Sequence, residues 1–357
     1  MGQHIEQIKH YFNNEEDVPS DLLFVNVAYD RQLVDVFDEF GFPKGNIDIT
    51  DRGKLLRLLE NLRNSNYKYI VLDVAFSNEY ASAEDSALFK LISSMDNIVI
   101  PKSENITLAD SILYDKARYS DYSTYISETN FVKYEFIRNG ETTLPYQLYL
   151  DLYGDKISHI GPFYFFNGQL ANKSVILRHP IKLWNKFSDK NVEMAESRYY
   201  NLGSEILDLD IDPADLAENK IVIIGDFTEH DIHDTYMGKI SGPVINVNAY
   251  LSLKNNNLSI PSWYILFLIG LYMAISYCII MNVKILKTIK LYDKIKFISI
   301  RVIISSLGLT SLLTVIAILI YLLFSLEFNI LIPSIYFSVL LACSKYKYYK
   351  TSSKQTL

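Results

Sequence analysis

Two long runs of apolar, uncharged residues near the carboxyl end most constrain how this chain can fold. Trp263 to Met281 is nineteen residues long, and Val302 to Phe324 is twenty-three. At about 1.5 Å per residue, helices of these lengths approach or exceed the roughly 30 Å hydrocarbon core of a bilayer. A third run, 328–343, has only sixteen residues and needs its flanking residues to span. We therefore predict three transmembrane helices, at about 262–282, 300–324 and 326–343.

The charges around these runs predict an orientation. Of 41 acidic residues only Asp293 and Glu327 follow Ile260, whereas ten of the 34 Lys and Arg residues do. Nine of the ten are lysines that lie between the first two runs or after the third: Lys284, Lys287, Lys290, Lys294, Lys296, Lys345, Lys347, Lys350 and Lys354. Basic loops stay in the cytoplasm. We expect a multi-pass inner-membrane protein with a basic cytoplasmic tail at 345–357 and an extracytoplasmic (periplasmic) domain at 1–259.

An extracytoplasmic domain needs a signal for export. The first 24 residues contain no apolar core of a signal peptide. We expect a membrane segment or signal upstream of Met1. The alternative is that residues 1–259 stay in the cytoplasm, against the distribution of lysines.

Composition excludes two kinds of chemistry for residues 1–259. Most of the acidic residues lie there, and an acidic surface does not bind nucleic acid non-specifically. Both cysteines, Cys278 and Cys343, fall in predicted membrane spans. The large domain therefore has neither a disulfide nor thiol chemistry.

Within residues 22–253, strand-like patterns alternate with helical ones. Apolar runs predict strands at 22–30, 67–76, 97–101, 131–137 and 219–226. Helical spacing predicts helices within 31–41, 51–66, 83–95, 143–154 and 242–253, the second of them capped by Thr50 or Asp51. Alternation of this kind predicts an α/β fold with a mostly parallel sheet.

Two segments together resemble a known family. In residues 51–101, a helix is followed by a strand that ends at Asp73, by Phe76 and by Asp85 at the start of another helix. In residues 219–253, the comparable positions are Gly225, Asp226, Asp231, Thr235, Gly238 and Gly242. These patterns, with three following spans, resemble the CHASE type 2 domain, a cyclase/histidine-kinase-associated sensory extracellular domain, over about residues 20–343.

The resemblance implies an extracytoplasmic sensory domain. This sequence departs from the family layout in two respects. The usual N-terminal membrane segment is missing from it, and so is a kinase or cyclase output domain. We therefore expect a stand-alone form that signals through a separate partner.

Residues 226–234 form the most chemically suggestive loop. Asp73 and Asp226 each end an apolar strand, and such strand ends gather ligands in parallel sheets. His230, Asp231, His233 and Asp234 are suitable metal donors, but no established metal motif is present. We predict a ligand-lining or structural loop, with no cofactor, metal or catalytic residue, formed by Asp73, Phe76, Asp85, Gly225, Asp226, Asp231, His233, Asp234, Thr235 and Gly242.

The sequence thus predicts a membrane-anchored extracytoplasmic sensor or binding protein. An unknown ligand or protein outside would bind it, and its transmembrane helices would pass the signal to a separate cytoplasmic or membrane partner. One alternative is a membrane-bound, metal-dependent hydrolase that uses residues 226–234. Another is a structural component of the envelope.

Overall fold

The structure, a computed structural model, describes residues 18–37, 40, 42–104, 107–120, 133–177, 179, 181, 198–235, 238–281, 298–324 and 330–354. These residues form two compact units, one up to Ser259 and the other from Ile260 onward. The predicted basic loop at 284–296 and Glu327 lie outside the described residues.

The regular elements have the following bounds. The helices are α1 (Arg52–Arg63), α2 (Asp85–Ser94), α3 (Leu144–Tyr153), α4 (Pro213–Ala217), α5 (Gly242–Lys254), α6 (Ser262–Ile280), α7 (Ile298–Phe324) and α8 (Leu331–Lys354). The strands are β1 (Leu22–Asn26), β2 (Arg31–Phe37), β3 (Pro43–Thr50), β4 (Tyr69–Asp73), β5 (Ile98–Lys102), β6 (Ala117–Tyr119), β7 (Lys133–Glu135), β8 (Ile137–Arg138), β9 (Glu141–Thr142), β10 (Ile157–Ile160), β11 (Phe163–Phe166), β12 (Gln169–Ala171), β13 (Ser174–Ile176), β14 (Tyr199–Asn201), β15 (Ile221–Gly225), β16 (Ile232–Thr235) and β17 (Gly238–Ser241).

A six-stranded parallel sheet organises the first unit. Its strand order is β14-β1-β15-β4-β5-β6, and each neighbouring pair is parallel. The α/β prediction is thereby confirmed for this unit. The late strand β15 lies between β1 and β4, near the middle of the sheet, as its uninterrupted apolar sequence predicts.

Both faces of the sheet are covered. On β15, Ile221 and Ile223 join one apolar core, which includes residues of α3 and α5. The alternate residues Val222 and Ile224 join a second core, which includes the leucines of α1 and the apolar face of α2. Each fully buried aliphatic side chain contributes roughly 1.5–3 kcal/mol. Two-sided burial therefore holds the strands in one register and fixes which residues reach the sheet's edge.

Helix α1 begins where the sequence predicts. The Asp51 carboxylate accepts a hydrogen bond from the backbone amide of Lys54 at 2.9 Å, so Asp51 rather than Thr50 supplies the cap. Four leucines of its inward face are fully or almost fully buried: Leu55, Leu58, Leu59 and Leu62. The cap places Arg52 as the first helical residue.

The helix predicted within 31–41 is wrong. Residues Arg31–Phe37 form strand β2, which pairs antiparallel with β3. Val34 is buried while its neighbour Leu33 is 72% exposed, a period of two rather than 3.6. The β-branched Val34 and Val36 favour an extended backbone, and pairing with β3 places successive side chains on opposite faces, whereas on a helix Leu33 and Val34 would lie only about 100° apart.

The described residues of the second unit form three helices. Of the described residues, only Ser262–Ile280 form a helix long and apolar enough to cross a bilayer. Shorter apolar stretches occur at Ser306–Ile320 and Leu331–Ser344. Leu309 and Leu313 of α7 and Phe337 of α8 form a small buried cluster, against which apolar residues of α6 pack. One membrane span is therefore supported, and the other two remain predictions.

Candidate functional site

The carboxyl ends of three neighbouring strands lie side by side. Asn26 at the end of β1 pairs with Gly225 at the end of β15, which pairs with Asp73 at the end of β4. The segments that follow converge on the edge where parallel α/β sheets usually bind ligands. A pocket of about 410 Å³ opens there. Its titratable and charged lining residues are Arg31, Asp48, Arg52, Asp73, Tyr80, Asp226, His230, Asp231 and His233.

Asp226 holds the turn that follows β15. Its carboxylate accepts hydrogen bonds from the backbone amides of Thr228, Glu229 and His230 at 3.0, 2.9 and 3.0 Å. Asp226 is almost fully buried. Asp caps backbone amides in this way because its short side chain reaches donors two to four residues ahead. The Asp226 carboxylate therefore mainly accepts hydrogen bonds from the backbone of its own turn.

Gly225 is required by close packing. A Cβ atom at this position would lie 2.5 Å from Cγ of Pro243 and 3.3 Å from Cβ of Asp73. Pro243 belongs to the first turn of α5. The absence of a side chain thus lets α5 approach the strand end directly beside Asp73.

Asp73 lies half-buried at the pocket wall, where its carboxylate accepts one hydrogen bond from the described residues. The Asn246 side-chain amide donates to its Oδ2 at 2.8 Å, and the Tyr134 hydroxyl donates to the Asn246 amide oxygen at 3.0 Å. Burial and the nearby charge of Asp231 raise the pKa of Asp73 to about 7, although Asn246 and His233 oppose this. Asp73 therefore changes charge near neutral pH.

Asp231 and His233 lie on the segment after the turn. His233 Nε2 lies 2.8 Å from Asp231 Oδ1, and this hydrogen bond is the largest cause of the raised pKa of His233. The backbone amide of Gly242, the first residue of α5, donates to the Asp231 carbonyl at 2.8 Å. The same short segment thus contacts both the pocket and the start of α5.

Arg52 brings a buried positive charge to the pocket. It is 1% exposed, and its guanidinium carbon lies 4.4 Å from the ring centre of Phe76. Its Nη2 donates to the Ala75 carbonyl at 2.9 Å. Burial lowers the pKa of Arg52, which Asp85 and Tyr80 partly counter by raising it. A guanidinium held this way keeps its charge while losing hydration.

Asp85 stands behind Arg52 as the first residue of α2. Its Oδ1 lies 3.6 Å from Arg52 Nε, while its Oδ2 accepts from the Ser82 backbone amide at 2.8 Å. Burial raises the pKa of Asp85. Neither Asp85 nor Phe76 lines the pocket, so both act by positioning Arg52.

A second set of charged residues lies on the side of the pocket that faces β2 and β3. Arg31 Nε contacts Asp48 Oδ2 at 3.1 Å and Arg31 Nη2 donates to the Asp48 carbonyl at 2.8 Å. His230 lies between two carboxylates, at 3.8 Å from Asp48 and 3.6 Å from Asp226. This rim is exposed enough for water to screen its ion pairs.

The structure brings four of the predicted site residues to the pocket: Asp73, Asp226, Asp231 and His233. Gly225 and Gly242 shape the backbone beside it, and the buried Thr235 donates its hydroxyl hydrogen to the Gly238 carbonyl at 2.7 Å. Asp234 is exposed and is not part of the lining.

Sequence reasoning missed Arg31, Asp48, Arg52 and Asn246. Arg31 lies in the segment that was predicted as a helix, and Asp48 lies on its partner strand β3. Arg52 looks like one more charge near a helix start. A signal for Asn246 did exist, because an amide interrupts the otherwise apolar start of α5.

The donor set is better suited to a polar organic molecule than to a metal. Among the described residues, no group of three or more His, Cys, Asp or Glu side chains is arranged to hold a metal ion. The pocket instead combines guanidinium, imidazole and carboxylate groups within one cavity. Its size falls in the range of small-molecule sites, roughly 300–1,000 Å³.

The fold and the pocket define a parallel α/β domain with a small-molecule-sized site at the carboxyl edge of its sheet. A family model described as the CHASE2 domain matches residues 10–280, and the chain belongs to the CHASE2 family. This is a family of sensory extracellular domains. No curated protein and no solved structure matches the chain.

Proposed function

We propose that this protein is a membrane-anchored extracytoplasmic sensor. Its pocket binds a small polar molecule outside the cytoplasm, and its transmembrane helices pass the event to a separate cytoplasmic or membrane partner. Family membership supports the sensory role, and the apolar helix α6 supports attachment to a membrane.

The observation that carries the proposal is the pair of hydrogen bonds from the pocket to α5. Asp73 binds Asn246 of that helix, and the Asp231 carbonyl binds the amide of Gly242 at its start. Only seven residues separate the end of α5 at Lys254 from the start of α6 at Ser262. A ligand that prefers one arrangement of these bonds shifts the population of that arrangement, and the chain connects α5 to α6 directly.

The hydrolase alternative finds less support in the same geometry. It requires Asp226 to serve as a metal ligand or a catalytic carboxylate. Three backbone amides already donate to that carboxylate. Recruiting it for chemistry would weaken these three bonds and the turn that they hold.

Topology is the first test. Cys278 and Cys343 are changed to serine, and the exposed Ser158 to cysteine as a reporter. A membrane-impermeant thiol reagent is applied to spheroplasts of a bacterial host before and after lysis, with Thr351→Cys as a reporter for the basic tail. We expect Ser158→Cys to react in intact spheroplasts and Thr351→Cys only after lysis. The experiment is run on the chain that begins at Met1 and on one extended upstream, and reaction of Ser158→Cys only after lysis in both contradicts an extracytoplasmic sensor.

Occupancy of the pocket is the second test. Ala75 is exposed at the pocket wall, so Ala75→Trp fills the cavity, whereas Ala83→Trp places the same ring on exposed surface outside the lining. Native mass spectrometry of the full chain in mild detergent compares the small molecules retained. We expect the wild type and Ala83→Trp to retain a ligand that Ala75→Trp has lost. Equal retention by all three would place the binding site elsewhere.

A further inference from the structure

Arg52 presents hydrogen-bond donors that the protein does not use. Within the described part of the chain, its buried Nε and Nη1 have no well-oriented acceptor, and the hydroxyl of Tyr80, which lines the same pocket, lies near the guanidinium. Nε has only the long contact of 3.6 Å with Asp85. Buried donors without partners are costly, and a planar guanidinium matches the two oxygens of a carboxylate.

Asp73 presents the opposite chemistry on the same pocket. Its Oδ2 accepts from Asn246, while its Oδ1 has no hydrogen-bond donor among the described residues. Asp231 lies close enough for its negative charge to disfavour ionisation of Asp73. Two carboxyl groups that repel each other are both stabilised when a cation binds beside them.

We propose that the sensed molecule is an amino acid, whose carboxylate binds Arg52 and whose ammonium group binds Asp73 and Asp231. This assignment rests on the proposed sensory function and names the ligand class of the same pocket. The pocket volume of about 410 Å³ leaves space for a side chain beyond the two charged groups.

The balance of charges favours a ligand with both signs over a simple anion or cation. Arg31, Arg52 and His233, whose pKa is raised, attract anions, but four aspartates line the same cavity: Asp48, Asp73, Asp226 and Asp231. Asp226 accepts three backbone amides, and Asp48 pairs with Arg31. Asp231 Oδ1 contacts His233 and Asp73 Oδ2 accepts from Asn246, so among the described residues the second oxygen of each remains for a ligand. A simple anion leaves this acidic pair repelling, and a simple cation leaves the Arg52 donors unpaired.

The test is a binding panel on the full chain in detergent. Isothermal titration calorimetry measures each of the twenty common amino acids. For each amino acid that binds, it also measures the matching amine without the carboxylate and the matching acid without the amino group. We expect at least one amino acid to bind and both of its truncated analogues to bind about 10- to 100-fold more weakly.

Variants assign the two charged groups to their residues. Arg52→Gln and Asp73→Asn should each weaken binding of the amino acid by about 10-fold or more. Arg57→Gln and Asp234→Asn are matched controls on exposed positions of the same helix and loop, and they should bind as the wild type does. If Arg52→Gln does not fold, Arg52→Lys keeps the charge but not the planar fork, and it should also weaken binding.

Two results would overturn the proposal. One is an amine or an acid that binds as tightly as its parent amino acid. The other is a folded protein in the expected topology that binds none of the twenty at millimolar concentration. In the second case, retention of another molecule by the wild type but not by Ala75→Trp would leave the sensory function standing and the ligand class wrong. Failure of the topology test would remove the sensory function itself.

Discussion

Two aspartates at the ends of neighbouring strands have different roles. Asp226 follows β15 and accepts three backbone amides, so its hydrogen bonds are made within its own turn. Asp73 ends β4 and accepts one side-chain amide, and burial with the charge of Asp231 raises its pKa to about 7. The two residues are a strand's width apart and line one pocket.

The difference lies in what each carboxylate has to bind. Asp226 stabilises a loop, and its bonds are made as soon as the turn forms. Asp73 meets partners from β16 and α5, which are far away in sequence. The first is a structural residue, whereas the second can respond to pH or to a ligand.

Gly225→Ala should have the largest effect on stability, because Gly225 lies where the end of β15 packs against α5. The added Cβ would overlap the Pro243 ring, so α5 must move away from the strand ends. We expect a loss of about 3 kcal/mol in the free energy of unfolding. Denaturant titration of the full chain, followed by pulse proteolysis, measures it. Gly53→Ala meets no atom closer than 3.4 Å and is the matched control, with little loss expected.

Asp226→Ala should lower the free energy of unfolding by about 2 kcal/mol, less than Gly225→Ala does. Three backbone amides lose their acceptor, but water can reach part of the turn. The same denaturant titration applies. Asp226→Asn retains one acceptor oxygen and should lie between the alanine variant and the wild type. A stability equal to that of the wild type for Asp226→Ala would show that the turn does not depend on this side chain.

Asp73→Asn should alter the pH dependence of stability rather than stability at one pH. Since the native pKa of Asp73 lies near 7 and its usual value is 3.8, only the folded state holds the proton between these values. Stability then falls as pH rises from about 4 to 7. The raised pKa of His233 acts in the same direction, because its contribution is lost as pH rises through the folded-state value.

We expect the wild type to lose on the order of 1 kcal/mol more than Asp73→Asn between pH 5 and pH 8. Unfolding free energies measured at four or five pH values give the two slopes. Glu60→Gln should keep the wild-type slope, since Glu60 is exposed on α1 and lies outside the pocket lining. Parallel slopes for the wild type and Asp73→Asn would mean that Asp73 is ionised throughout.

Asp231→Asn should have the smallest effect on stability but a clear effect on the titration of Asp73 and His233. Asp231 raises the pKa of both Asp73 and His233, so its neutralisation should lower both. The ring proton signals of His233, followed by NMR against pH in the full chain, report the shift. An unchanged His233 titration would contradict the contact between Asp231 and His233.

Much of the sheet could be predicted because its central strands are apolar on both faces. β1, β4, β5 and β15 each occupy a predicted segment. The hairpin β2–β3 could not be predicted in this way. A short segment of mixed polar and apolar residues such as Arg31–Phe37 fits a helix locally and becomes a strand only by pairing. The convergence of Asp73 and Asp226 was predictable from their positions after parallel strands.

The remainder of the site depends on long-range contacts. Asn246 meets Asp73 across 173 positions of sequence, and no local pattern encodes that pair. Arg52 enters the pocket because its helix starts at the Asp51 cap and because Phe76 and Asp85 come together around it.

The sequence by itself determined which segments are apolar enough to enter a bilayer or a two-sided sheet, where most helices start, and which aspartates follow the strands. These properties arise from neighbours within a few residues, through hydrophobic periodicity and backbone capping. Only the tertiary structure decided which aspartate is hydrogen-bonded by its own turn and which has a perturbed pKa. That outcome depends on desolvation and on charges delivered by distant elements, and both exist only after the chain has folded.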